Sequence, residues 1–109
     1  MHELGIALEL VDVVTERAAG ARVKRVVVEV GLLTAVLPDA LDFCFGLACE
    51  GTPIEGAALS IVAEPARARC RACAEESRQT SLVARCGCGA WDFEWLSGSE
   101  LRVRELEVA

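Results

Sequence analysis

The chain has 109 residues, 53% hydrophobic and only 5% aromatic, with six Cys, one His and no Tyr. That length allows one domain or a domain plus a small metal-stapled lobe and excludes two large domains. With its single imidazole at position 2, the chain cannot assemble a His-dependent triad or an internal His-rich metal site. Seventeen acids against eleven bases give a net charge of −6, which argues against phosphate backbones and anionic membranes as partners.

The N-terminal segment carries Glu3, Glu9 and Asp12 where a secretory leader would be apolar, and no stretch approaches the roughly 20 apolar residues of a membrane span. The expectation is a soluble, cytoplasmic protein. In that compartment closely spaced cysteines serve as metal ligands or redox thiols more often than as disulfides.

Residues 3–19 set Leu4, Ala7, Leu8, Val11, Val14 and Ala18 at helical spacing against Glu9, Asp12 and Glu16, so an amphipathic helix is predicted, stopped by Gly20. From Val23 to Leu33 the β-branched pattern puts Val26, Val28, Val30 and Leu32 on one face of a strand. Pro38 and Asp39 open a second helix with Leu41, Cys44, Phe45 and Ala48 on its apolar side, ending before Gly51. Leu59, Ile61 and Ala63 alternate in a second strand. A cysteine-bearing insert follows, then the period-2 run Trp91 to Trp95 and a last strand within Glu100 to Val108. The expected fold is α/β: two helices packed on a three-stranded sheet, with a small four-cysteine zinc-ribbon-like lobe inserted before the last strand. The corresponding domains are residues 1–66 plus 98–109, and 67–97.

Cys70-Arg-Ala-Cys73 and Cys86-Gly-Cys88 form two short chelating pairs joined by a loop, the layout of a tetrahedral four-sulfur site. Zinc suits four thiolates and needs no histidine. The second pair is one residue short of the common spacer, so its backbone must turn more tightly, with Gly87 and Gly89 available for it. A redox dithiol is the competing reading, but it favours Cys-x-x-Cys at a helix start, and Arg67 to Arg71 offers only a strand. Catalytic zinc would need an open coordination position, which four thiolates do not leave. Cys44 and Cys49, five apart on the second helix, read as small core residues.

His2 stands beside the terminal amine of Met1. Amine, imidazole and deprotonated backbone amides can close small chelate rings around Ni(II) or Cu(II), and Glu3 could add a carboxylate. Glu3 equally suits the first turn of a helix as a plain acid.

Met1-His2-Glu3-Leu4, Val26-Val-Val-Glu-Val-Gly-Leu-Leu, Leu37-Pro-Asp-Ala-Leu-Asp-Phe-Cys-Phe, Glu55-Gly-Ala-Ala-Leu and Glu100-Leu-Arg-Val-Arg-Glu-Leu-Glu-Val, in that order, resemble the HypA/HybF hydrogenase nickel-incorporation proteins. The resemblance implies a nickel metallochaperone, not an enzyme, that delivers Ni(II) for maturation of the [NiFe]-hydrogenase large-subunit precursor together with the GTPase HypB. Some relatives serve urease maturation. It also implies nickel ligation at His2 with Met1 and Glu3, a nearby acidic residue at Asp39, and structural Zn(II) on Cys70, Cys73, Cys86 and Cys88. One departure is clear: the family's second knuckle normally carries a two-residue spacer. The rival reading is a zinc-ribbon module for protein or nucleic-acid interaction, using the five arginines that face two glutamates between Pro65 and Gly89. Trp91, Phe93 and Trp95 are better read as the small core under the zinc site.

Overall fold

Each predicted helix closes where its sequence supplies a stop. In the computed structural model, which describes residues 3–109, helix α1 spans Glu3–Ala18 with Glu3 in its first turn and Arg17 in its last, where the two charges oppose the helix dipole. Ala19 and Gly20 then turn the chain with positive φ of 49° and 90°. Helix α2, Pro38–Cys49, starts with proline in its first turn after Leu37. There the missing N–H is one that no helix could satisfy. Gly51 leaves it at φ 74°.

The strands follow as β1 (Val23–Gly31), β2 (Ala58–Glu64), β3 (Ala66–Cys70), β4 (Glu76–Gln79), β5 (Phe93–Trp95) and β6 (Leu101–Val108). One three-stranded sheet has the order β2-β1-β6 and a second the order β4-β3-β5. Contacts divide the chain into two units. The first holds the residues up to Glu29, Val36–Val62 and Arg102–Ala109, and the second holds Val30–Ala35 and Ala63–Leu101.

In the first unit α1 packs against α2. The core takes Ile6, Ala7, Leu10, Val11 and Val14 from α1, Leu41, Phe45 and Cys49 from α2, and Val26, Val28 and Val103 from the strands. The stripe on α1 differs from the expected one: Ile6 and Leu10 are inside, while Leu4 and Leu8 are about half exposed at 48% and 51%. Both candidate stripes keep helical spacing, and the choice between them depends on how α1 rolls against α2, which no local pattern encodes. On the sheet, Glu29 gathers Arg102 at 2.6 Å and Arg104 at 3.7 Å.

In the second unit, β3 pairs antiparallel with β4 and with β5, placing Arg69 opposite Glu76 on one side and Glu94 on the other. Ala68, Cys70 and Phe93 form its core, with Ala84, Cys86, Ala90 and Trp95 packed against it. β1 ends at Gly31, and Leu32–Thr34 form a 3₁₀ turn where a longer strand was expected. The Thr34 hydroxyl donates to the Gly31 carbonyl at 2.8 Å and secures the turn. The Gly31 N–H then donates to Glu100 O and the Leu33 N–H to Gly98 O, both at 2.8 Å.

Candidate metal centre

Cys70 ends β3, and the chain beyond it reverses in a tight loop. The Ala74 N–H donates back to Cys70 O at 2.8 Å, closing a five-residue turn, and Ala74 takes a positive φ of 64°. The second knuckle is built on the same plan with one residue fewer. Its Gly89 N–H donates to Cys86 O at 2.9 Å across a four-residue turn, and Gly89 has φ 96°. The shorter spacer is therefore absorbed by a β-turn in place of an α-turn. The residue after each closing cysteine is left-handed in both. Glycine meets that demand without strain; alanine at 74 does not.

Despite this asymmetry the two knuckles deliver their sulfurs to one place. The Sγ atoms of Cys70, Cys73, Cys86 and Cys88 all lie within 4.8 Å of one another. Cys70 is buried, Cys86 half-buried, and Cys73 and Cys88 exposed. The Cys70 sulfur faces the N–H of Cys73, which with those of Ala72 and its sulfur neighbours outweighs burial and draws its pKa down to about 7. For Cys73 the N–H of Glu75 acts in the same direction. There the hydrogen bond with Cys86, burial and the remaining thiols prevail, raising it to about 12. The Cys88 N–H reaches Cys86 and favours its thiolate, but burial and the sulfurs of Cys88 and Cys70 leave its pKa raised. Four sulfurs this close share thiolate character unevenly because like charges repel, and a bound cation removes that conflict. The donor set is four sulfurs within 4.8 Å of one another, a chemistry that fits zinc.

Three of the surrounding arginines meet acids of the same lobe. Arg69 reaches Glu76 at 3.4 Å and Glu94 at 3.1 Å, Arg71 reaches Asp92 at 3.4 Å, and Arg67 also pairs with Glu76. Arg85 donates to Gly89 O at 3.2 Å and lies over Trp91, 5.4 Å from the ring centre. Four of the five arginines between Pro65 and Gly89, namely Arg67, Arg69, Arg71 and Arg85, are thus engaged within the lobe itself. The aromatic expectation needs one correction: Phe93 is buried and Trp95 packs beside it, but Trp91 is 61% exposed. The alternating pattern becomes strand only from Phe93, so Trp91 lies before the ladder and serves as a platform for Arg85.

Met1 and His2 lie outside the described residues. Glu3 begins α1, and its carboxylate accepts the Leu37 N–H at 3.1 Å, so it bonds to the residue that precedes α2. Asp39 stands two residues beyond that contact, in the first turn of α2. Cys49 is buried and Cys44 half-buried on α2, outside the sulfur cluster. Burial and then the charge of Glu55 push the Cys49 thiol up.

Residues 1–108 match the family model described as hydrogenase/urease nickel incorporation, metallochaperone, hypA. The chain belongs to that family. A hydrogenase maturation factor HypA of Trichormus variabilis is 44% identical over 108 residues, covering 99% of this chain and 96% of its own. One from Geotalea uraniireducens is 42% identical over 109 residues, covering 99% of each. The solution structure of the Ni metallochaperone HypA from Helicobacter pylori superposes with a TM-score of 0.68 at 25% identity, over 99% of this chain and 97% of the other. The chain therefore matches these relatives over nearly their whole length and shares the overall fold of that solved structure. Among the described residues no helix is long and apolar enough to cross a membrane.

Proposed function

We propose that this protein, a nickel metallochaperone of hydrogenase maturation, carries Ni(II) on its extreme N-terminus and keeps a separate, permanent Zn(II) on its four clustered cysteines. The observation that carries the reading is the family match from residue 1 to residue 108, which includes Met1-His2-Glu3.

Nickel is the cargo. The Met1 amine, the His2 imidazole and intervening backbone amides offer the nitrogen ligands that tetragonal Ni(II) prefers, with the Glu3 carboxylate and the nearby Asp39 as acidic neighbours. Terminal ligation suits a carrier because a chain end can exchange partners. The Glu3 carboxylate also accepts the Leu37 N–H at 3.1 Å, which ties the start of α1 to the residue before α2.

Zinc, when bound, supplies a cross-link between the two knuckles. Cys70, Cys73, Cys86 and Cys88 would hold it, within a zinc-binding segment of residues 67–97. Cys70 also belongs to the small core with Ala68 and Phe93, so loss of the metal removes an anchor of that core. The partners proposed are the GTPase HypB and the [NiFe]-hydrogenase large-subunit precursor, with urease maturation proteins a further client group. The setting proposed is the cytoplasm. No catalytic role is assigned to any residue; nucleotide hydrolysis belongs to the GTPase partner. The test is nickel titration of the chain with its native terminus, with zinc content measured on the same sample. His2→Ala is expected to remove nickel binding and leave one zinc per chain. Unchanged nickel affinity would refute the carrier site.

A further inference from the structure

Within the sulfur cluster, where all four Sγ atoms lie within 4.8 Å of one another, two cross-knuckle pairs are in direct contact. Cys70 Sγ lies 3.6 Å from Cys88 Sγ, and Cys73 Sγ lies 3.6 Å from Cys86 Sγ. Both contacts run between knuckles. Each also joins an exposed thiol, Cys88 or Cys73, to a more shielded one, Cys70 or Cys86. A thiol that solvent reaches, set beside a second thiol able to resolve its oxidised form, is the arrangement of a reversible redox centre. A Cβ built at Gly87, beside the exposed Cys88, would meet nothing within 4 Å, so the space beside that knuckle is open.

We propose that the four-sulfur site is also peroxide-responsive, oxidising across the knuckles to Cys70–Cys88 and Cys73–Cys86 disulfides and releasing its metal. This rests on the reading of the cluster as a zinc site. In each pair the exposed cysteine, which would be a thiolate when it holds the metal, attacks one oxygen of hydrogen peroxide. The O–O bond breaks, hydroxide leaves and the sulfur becomes a sulfenic acid. The shielded thiolate then attacks that sulfur, an S–S bond forms, and a second hydroxide departs. Two thiolates are oxidised to one disulfide as one peroxide is reduced to two hydroxides, so two peroxides convert all four ligands. The sulfurs must close from 3.6 Å to about 2.05 Å. Cys49, buried and outside the cluster, is an internal reference that should stay reduced.

The experiment treats the zinc-loaded full chain with hydrogen peroxide under anaerobic conditions. Released zinc is followed with a chromophoric chelator, and disulfides are mapped by non-reducing digestion with fragmentation that separates Cys86 from Cys88. Zinc release is expected to be complete at about two peroxides per chain, with the two cross-knuckle disulfides at least about tenfold more abundant than any other pair and zinc binding restored by a thiol reductant. Predominance of Cys70–Cys73 and Cys86–Cys88 pairs, oxidation of Cys44 or Cys49 ahead of the cluster, or retention of zinc would overturn the proposal while leaving the zinc reading intact. A chain that takes up well under one zinc before any peroxide is added overturns the zinc reading, and the proposal with it. Because single cysteine variants can lose the fold together with the metal, the pairing is read on the unmodified chain. A Cys44→Ser/Cys49→Ser chain, whose cluster is untouched, must give the same map.

Discussion

Gly31→Ala should be among the most damaging single-methyl additions this chain can suffer. A Cβ at position 31 would stand 2.2 Å from the Gly98 carbonyl oxygen, 2.6 Å from its carbon and 3.1 Å from the Glu100 nitrogen. All three are backbone atoms, so no rotamer change gives way. To restore ordinary contact the strand end and the turn at Gly98 must separate by roughly 1 Å. That loosens the hydrogen bonds from Gly31 to Glu100 and from Leu33 to Gly98, each 2.8 Å long. Two backbone bonds at about 1 kcal/mol net each, plus overpacking strain of about 1–3 kcal/mol, place the loss at about 3–5 kcal/mol. Against a typical total of about 5–15 kcal/mol, that is a large fraction. Gly46→Ala is the matched control: it lies inside α2, nothing is within 4 Å of the added methyl, and it should gain about 0.5–1 kcal/mol from helix propensity. Urea unfolding of the zinc-loaded variants, followed by tryptophan fluorescence and circular dichroism, measures both. A Gly31→Ala chain within about 1 kcal/mol of the parent would refute the close approach that the structure shows.

Three further outcomes follow from the sulfur site and its turns. Ala74→Gly should stabilise the zinc-loaded lobe by about 0.5–1 kcal/mol, because φ 64° strains alanine and not glycine; thermal unfolding reads it. Cys70 titrates near 7 in the metal-free chain, so it is already ionised above that pH and must shed a proton to metal below it. Proton release on zinc binding should therefore rise as pH falls through 7, measurable by calorimetry in buffers of different ionisation enthalpy. Chelation of zinc should disorder the packing around Phe93 and Cys70 while the helices of the first unit remain, seen as lost amide protection confined to the second unit.

Most of this was legible from residue order because each feature had a local cause. Proline at 38 and glycine at 51 bracket α2, β-branched residues mark β1, and paired cysteines mark the knuckles. The partner choice of α1's apolar residues was not legible, since Leu4 and Leu8 satisfy helical spacing as well as Ile6 and Leu10 do. Strand β4, Glu76–Gln79, has no apolar alternation at all and exists because β3 offers it hydrogen bonds and because Glu76 meets Arg67 and Arg69. The left-handed Ala74 was hidden for a similar reason: nothing in an alanine announces positive φ. Glycine at 89, after the second knuckle, was the available signal, because the two knuckles repeat one plan.

The short spacer of Cys86-Gly-Cys88 changes the turn and spares the convergence, as the common spacing within 4.8 Å makes plain. The proposed division separates the two metals by place: zinc on a sulfur cluster braced by strands and ion pairs, and nickel on the chain end. The most direct test of that division is nickel titration of the zinc-loaded chain beginning at its native Met1, beside the same chain with one residue added ahead of Met1. Loss of nickel binding in the extended chain, with one zinc retained in both, is the predicted result. Equal nickel affinity in the two chains would contradict it.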